Sequence, residues 1–149
     1  MFAFLPLLFL AACDLSGLGE DLTKDATTAC DGNDCVCAAA CGVECDTTTE
    51  CSVVCGDAAC DVTCQDSPDC DVQGGTDEVT VDCKGAEHCQ VECSNASACT
   101  VDCKDVGDCS VTLPDANGTV QNCTQGESCT GTCGLTGIGK QSGSDVVCN

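Results

Sequence analysis

The stretch Cys89-Gln90-Val91-Glu92-Cys93-Ser94-Asn95-Ala96-Ser97-Ala98-Cys99-Thr100-Val101-Asp102-Cys103 contains one unit and the start of the next. The unit is C-x-V-x-C followed by five polar or small residues. Extended in both directions, the frame gives first positions at 41, 51, 60, 70, 79, 89, 99, 109, 119 and 129. The loops at 56–59 and 75–78 are one residue short. The unit centres are then Val43, Val53, Val62, Val72, Val81, Val91, Val101, Val111, Gln121 and Gly131. A repeat this regular is read before any single element.

Within each unit the first, third and fifth residues share one face of an extended strand, so Cys, Val and Cys point together. The residues between them are mostly polar, as in Gln90 and Glu92 or Thr100 and Asp102. Gly, Asp, Ser and Asn crowd the connections, as turns require. The chain is therefore expected to be all-β, with ten short strands. Two arrangements fit. A β-solenoid takes about two ten-residue units per coil and encloses its Val and Cys between two thin sheets. A disulfide-rich β-meander puts every Cys-Val-Cys face on one side of a single sheet, and no remaining segment can cover it. The solenoid is the expectation, with about five coils and residues 30–40 as an irregular cap.

The spacing also predicts disulfide pairs. Cys at i and i+4 of one strand stand about 13 Å apart, beyond the roughly 7 Å limit for bridging. Cysteines flanking a reversing loop can meet. Cys is lost in loop-flanking pairs as well, at Gly74 with Val79 and at Leu113 with Thr119. The expected bridges are Cys35–Cys41, Cys45–Cys51, Cys55–Cys60, Cys64–Cys70, Cys83–Cys89, Cys93–Cys99, Cys103–Cys109 and Cys123–Cys129. The cysteines left over give Cys30–Cys37 and Cys133–Cys148.

Composition agrees that cysteine must hold the fold. Of 149 residues, 21 are Cys and 25 are acidic against four Lys and no Arg, a formal net charge of -21. Leu, Ile, Val and Phe make up about a fifth of the chain, and Trp and Tyr are absent. Such a chain stays unfolded unless it is cross-linked. It also excludes nucleic acid as a partner, since phosphates repel it and it brings no stacking aromatics.

Residues 1–12, MFAFLPLLFLAA, form an apolar run too short to span a bilayer and read as a signal peptide. The run ends in Leu10-Ala11-Ala12-Cys13, which resembles the lipobox of bacterial lipoproteins. That resemblance implies a diacylglycerol on Cys13 and a membrane-anchored protein of the bacterial cell envelope, facing the periplasm or the exterior. Residues 13–29 then form the lipidated Cys and a flexible tether, and 30–149 the Cys-rich β-repeat domain. With Cys13 lipidated, 20 cysteines remain, an even number that fits complete pairing. The C-x-V-x-C array itself resembles Cys-rich repeat lipoproteins of myxobacterial type.

The expected function is non-enzymatic: a rigid, acidic, disulfide-rich surface with a structural or adhesive role toward a protein or glycan ligand. Calcium is the main alternative, because hard oxygen ligands abound. Loops 65–69 and 104–108 offer carboxylates, and Asp82 and Asp102 fall on one solenoid face one coil apart. Thiolate metal sequestration ranks after it, since the chain lacks C-x-x-C knuckles and has one His. That residue, His88, reads as a loop histidine without a nucleophile beside it. No cofactor is expected.

Overall fold

The structure, a computed structural model, describes residues 27–29, 34–37, 39–45, 47, 50–123, 128–134 and 137–149. The signal segment 1–12, Cys13, most of the tether and Cys30 lie outside the described residues. In chain order the strands are β1 (Thr27–Ala29), β2 (Asp34–Cys37), β3 (Cys41–Glu44), β4 (Cys51–Cys55), β5 (Cys60–Thr63), β6 (Asp69–Gln73), β7 (Glu78–Asp82), β8 (His88–Glu92), β9 (Ala98–Asp102), β10 (Asp108–Leu113), β11 (Gly118–Gln121), β12 (Cys129–Cys133), β13 (Gly137–Ile138), β14 (Lys140–Ser142) and β15 (Asp145–Cys148). Strands β3 to β12 are the ten that the repeat predicts.

Among β1 to β12 each strand pairs in parallel with the one two positions along the chain, so odd and even strands build separate sheets. This is a β-solenoid with two strands per coil. Register matches centre to centre: Val43 with Val62, Val62 with Val81 and Val81 with Val101 in one sheet. The other sheet runs Val53, Val72, Val91, Val111 and Gly131. The valines of these two rows are at most 1 % exposed. Burying each one stabilises the fold by roughly 1.5–3 kcal/mol, and β-branched side chains suit such a stacked surface.

The structure departs from the sequence frame in three places. The ninth unit begins at Gly118, not Thr119, and its centre is Val120, not Gln121: Gly118 pairs with Cys99 and Val120 with Val101. The loop 114–117 is one residue short, and the chain recovers the lost residue at Asn122. Asn122 takes φ 56°, a left-handed conformation that Asn tolerates better than most residues. The pair without Cys at this loop is therefore Leu113 with Gly118.

The repeat also starts earlier than expected. β1 falls inside the segment read as tether, and β2 inside the one read as an irregular cap. Their centres are Thr28, paired with Val43, and Cys35, paired with Val53. A search keyed on a central Val passes over both. At the other end the coil is closed by antiparallel strands: β13 on β12, β15 on β11, and β14 on β15. Val146 of β15 is fully buried. A Cβ placed on Gly131 would stand 2.8 Å from its Cγ1, so the tenth unit lacks its Val because Val146 fills that space.

Candidate functional site: two cystine ladders

Turns alternate between the two edges of the solenoid, and so do the bridges. One edge carries Cys45–Cys51, Cys64–Cys70, Cys83–Cys89, Cys103–Cys109 and Cys123–Cys129 without a gap. The other carries Cys37–Cys41, Cys55–Cys60, Cys93–Cys99 and Cys133–Cys148. On that edge the rung is missing at Gly74 and Val79, and again at Leu113 and Gly118. Gly74 sits where a Cβ would come 2.9 Å from the Cβ of Cys93. Val79 and Leu113 are fully buried. Each missing cystine is thus replaced by one aliphatic side chain and one glycine.

Two expected bridges are corrected. Cys41 bonds Cys37, not Cys35, and this also removes Cys30–Cys37. The cause is register: Cys37 pairs with Cys55 at the fifth position, beside the loop, whereas Cys35 pairs with Val53 at the centre. Cys35 is itself disulfide-bonded. The other eight bridges coincide with the sequence reading.

The rungs stack. Cys41 Sγ lies 3.5 Å from Cys60 Sγ, and Cys45 Sγ lies 3.4 Å from Cys64 Sγ. All four sulfurs belong to cystines and carry no proton, so these are packing contacts and not hydrogen bonds. As cystines they also offer no thiolate to a metal.

Asp82 and Asp102 do stand one coil apart in paired register. Each accepts the backbone N–H two residues ahead, Lys84 at 3.0 Å and Lys104 at 3.0 Å. Asn122 Nδ2 also donates to Asp102 at 2.7 Å. These carboxylates cap the turns that lead off each strand. In the loops cited for calcium, Asp66 and Asp105 adopt φ 57° and 58° and shape the turns. His88 is exposed, in a row between Asp69 and Asp108.

The even-strand sheet carries a feature the repeat frame did not single out. A shallow, open groove of about 240 Å³ runs across β4, β6 and β8, lined by Ser52, Val54, Asp71, Gln73, Gln90 and Glu92. Val54 is 38 % exposed, and Val36, its register partner, is 75 % exposed. The signal was present in the sequence, since both valines occupy outward positions. Partial burial raises the pKa of Glu92, but hydrogen bonds from the Ser94 hydroxyl, the Ser94 N–H and the Thr112 hydroxyl outweigh it. The carboxyl titrates below the ordinary carboxylate range and is ionised at neutral pH. The groove can offer carboxylates, carboxamides and a hydroxyl beside an aliphatic wall. No protein family, curated protein or solved structure matches the chain.

Proposed function

We propose that the protein is an exported, lipid-anchored, non-enzymatic scaffold of the bacterial cell envelope. In this reading Cys13 carries the lipid, and the solenoid presents an acidic surface to a protein or glycan ligand. The observation that supports it most is the paired cystine ladder around a stack of valines. Such a core is stable only where thiols stay oxidised, and it leaves the outward rows free to vary. The groove beside Val36 and Val54 is the face best suited to a ligand. Calcium binding has less support, because Asp82 and Asp102 are engaged in capping turns.

The test is mass spectrometry of the mature protein, isolated without reductant from its native host. The expected result is an acylated N-terminal peptide beginning at Cys13 and no free thiol elsewhere. An unmodified Cys13 inside an uncleaved chain, or many free thiols, overturns the reading. A melting scan with calcium and then chelator checks the alternative: an unmoved transition rules it out.

A further inference from the structure

The second edge isolates a set of four cysteines. Cys37–Cys41 and Cys55–Cys60 are stacked rungs, with Cys37 over Cys55 and Cys41 over Cys60 in register. The ladder then stops, because the next position on this edge holds Gly74 and Val79. On the first edge no rung is isolated in this way. There the sulfurs of Cys45, Cys51 and Cys64 lie within 4.8 Å of one another, and those of Cys70, Cys83 and Cys89 do the same. A thiol formed on that edge has another disulfide to attack, and exchange can carry it along the ladder. Among the described residues, Cys37, Cys41, Cys55 and Cys60 meet no third rung on their own edge.

We infer that these four cysteines form a latent site for a soft divalent metal such as Zn²⁺ or Cd²⁺, opened when a dithiol reduces the two rungs. The inference goes beyond the scaffold role and does not depend on the lipid anchor. Its geometry is favourable. The sulfurs of Cys37, Cys41 and Cys60 already lie within 4.8 Å of one another; Cys55, the fourth ligand, is bonded to Cys60 and stands outside that close group. A tetrahedral thiolate site with metal–sulfur bonds of about 2.3 Å places its sulfurs about 3.8 Å apart. The contact between rungs, 3.5 Å from Cys41 to Cys60, needs to change little. Within a rung the two sulfurs separate by roughly 1.8 Å once their bond is broken, from about 2.0 Å toward that 3.8 Å spacing. Neighbouring coils hold the backbones in place meanwhile. Access also favours this end. Cys41 is partly exposed, as are Cys45 and Cys133, whereas Cys64, Cys70, Cys83, Cys93 and Cys99 are fully buried.

The chemistry balances. Each rung takes two electrons and two protons from a dithiol, which leaves as its own disulfide. Two rungs yield four thiols. The metal then displaces four protons and is held by four thiolates, with a local charge of two minus. Soft thiolate ligands select zinc, cadmium and cuprous ions over calcium or magnesium.

The experiment reduces the full chain with limiting trialkylphosphine, which becomes phosphine oxide as water supplies its oxygen and the two thiol protons. Cadmium is present throughout. Bound metal is read from the cadmium–thiolate ultraviolet band, protected cysteines from alkylation and peptide mapping, and fold from circular dichroism. The expected result is one cadmium per chain, protection of Cys37, Cys41, Cys55 and Cys60 as a set, and a retained β signal. A Cys55→Ser, Cys60→Ser variant should lose the band to background. A Cys93→Ser, Cys99→Ser variant should keep it, since that rung stands alone between two gaps. Equal alkylation of the four cysteines with and without cadmium overturns the inference. So does a band that survives in the Cys55→Ser, Cys60→Ser variant, or one that appears only as the β signal is lost.

Discussion

Leu113 packs directly against Gly118 where the second ladder has no cystine: a Cβ on Gly118 would stand 2.7 Å from the Cβ of Leu113 and 3.2 Å from its Cγ. The glycine makes room for the larger side chain. Gly118→Ala should therefore destabilise the protein by about 1–3 kcal/mol through overpacking, read as a lower urea midpoint. Leu113→Cys with Gly118→Cys should instead restore a rung, because their sequence separation of 5 equals that of Cys55 and Cys60. Intact mass without reductant should show no added free thiol.

Much of this ladder was legible in the chain because its determinants are local. Val91 and Cys93 sit two residues apart, so strand alternation alone puts them on one face. Cys83 and Cys89 flank a loop, so a reversing chain brings them together. What escaped the sequence reading depends on which strand lies above which. Cys35 and Cys37 are indistinguishable by spacing, and only the pairing of Cys37 with Cys55 assigns one to the loop and the other to the core. Val120 was displaced from its unit by a compensating pair, a short loop before it and Asn122 after it. The contact of Cys41 with Cys60 spans 19 residues and follows from the coil length, which was expected only approximately.

Valine has opposite value at inward and outward positions. Val101 is fully buried between Val81 and Val120, and Val101→Ala should cost about 2 kcal/mol. Val36 is 75 % exposed, so Val36→Ala should change stability by less than about 0.5 kcal/mol. Paired urea titrations measure both. If Val36 contributes to a ligand face, its replacement weakens binding while the unfolding midpoint stays in place.

Removing one rung tests how far the ladder acts by constraining the unfolded chain. Closing a loop the size of Cys83–Cys89 contributes roughly 2 kcal/mol by chain entropy. Cys83→Ala with Cys89→Ala should lose at least that amount, because both sulfurs are buried and their packing goes with the bond. The loss is read from urea unfolding without reductant. A loss well under 1 kcal/mol would mean that neighbouring rungs already restrict the same segment.

Glu92 gives a pH dependence of known sign. Its folded pKa lies below the ordinary carboxylate value, so the unfolded state takes up protons first as pH falls. The contribution is fully present above about pH 5 and is lost as the pH drops through the folded pKa. Glu92→Gln should therefore flatten this part of the acid limb. The difference in melting temperature between wild type and variant should be largest near neutrality and shrink below about pH 4. The effect is small, since the side chain is mostly in solvent.

The closing end of the solenoid predicts a failure of the consensus. Val is the rule at the centre of a unit, so Gly131→Val looks like a stabilising repair on sequence grounds. The structure argues the reverse. Val146 already occupies that space, with its Cγ1 2.8 Å and its Cβ 3.1 Å from where a Cβ on Gly131 would lie. Val146 also arrives from β15, which covers the edge of β11. Gly131→Val should push β15 outward, lower the melting temperature and raise the exchange rate of the β15 amides with solvent deuterium. Adding Val146→Ala should recover part of the loss by returning the volume. A single Gly131→Val variant with an unchanged melting temperature would show that β15 does not seal the coil.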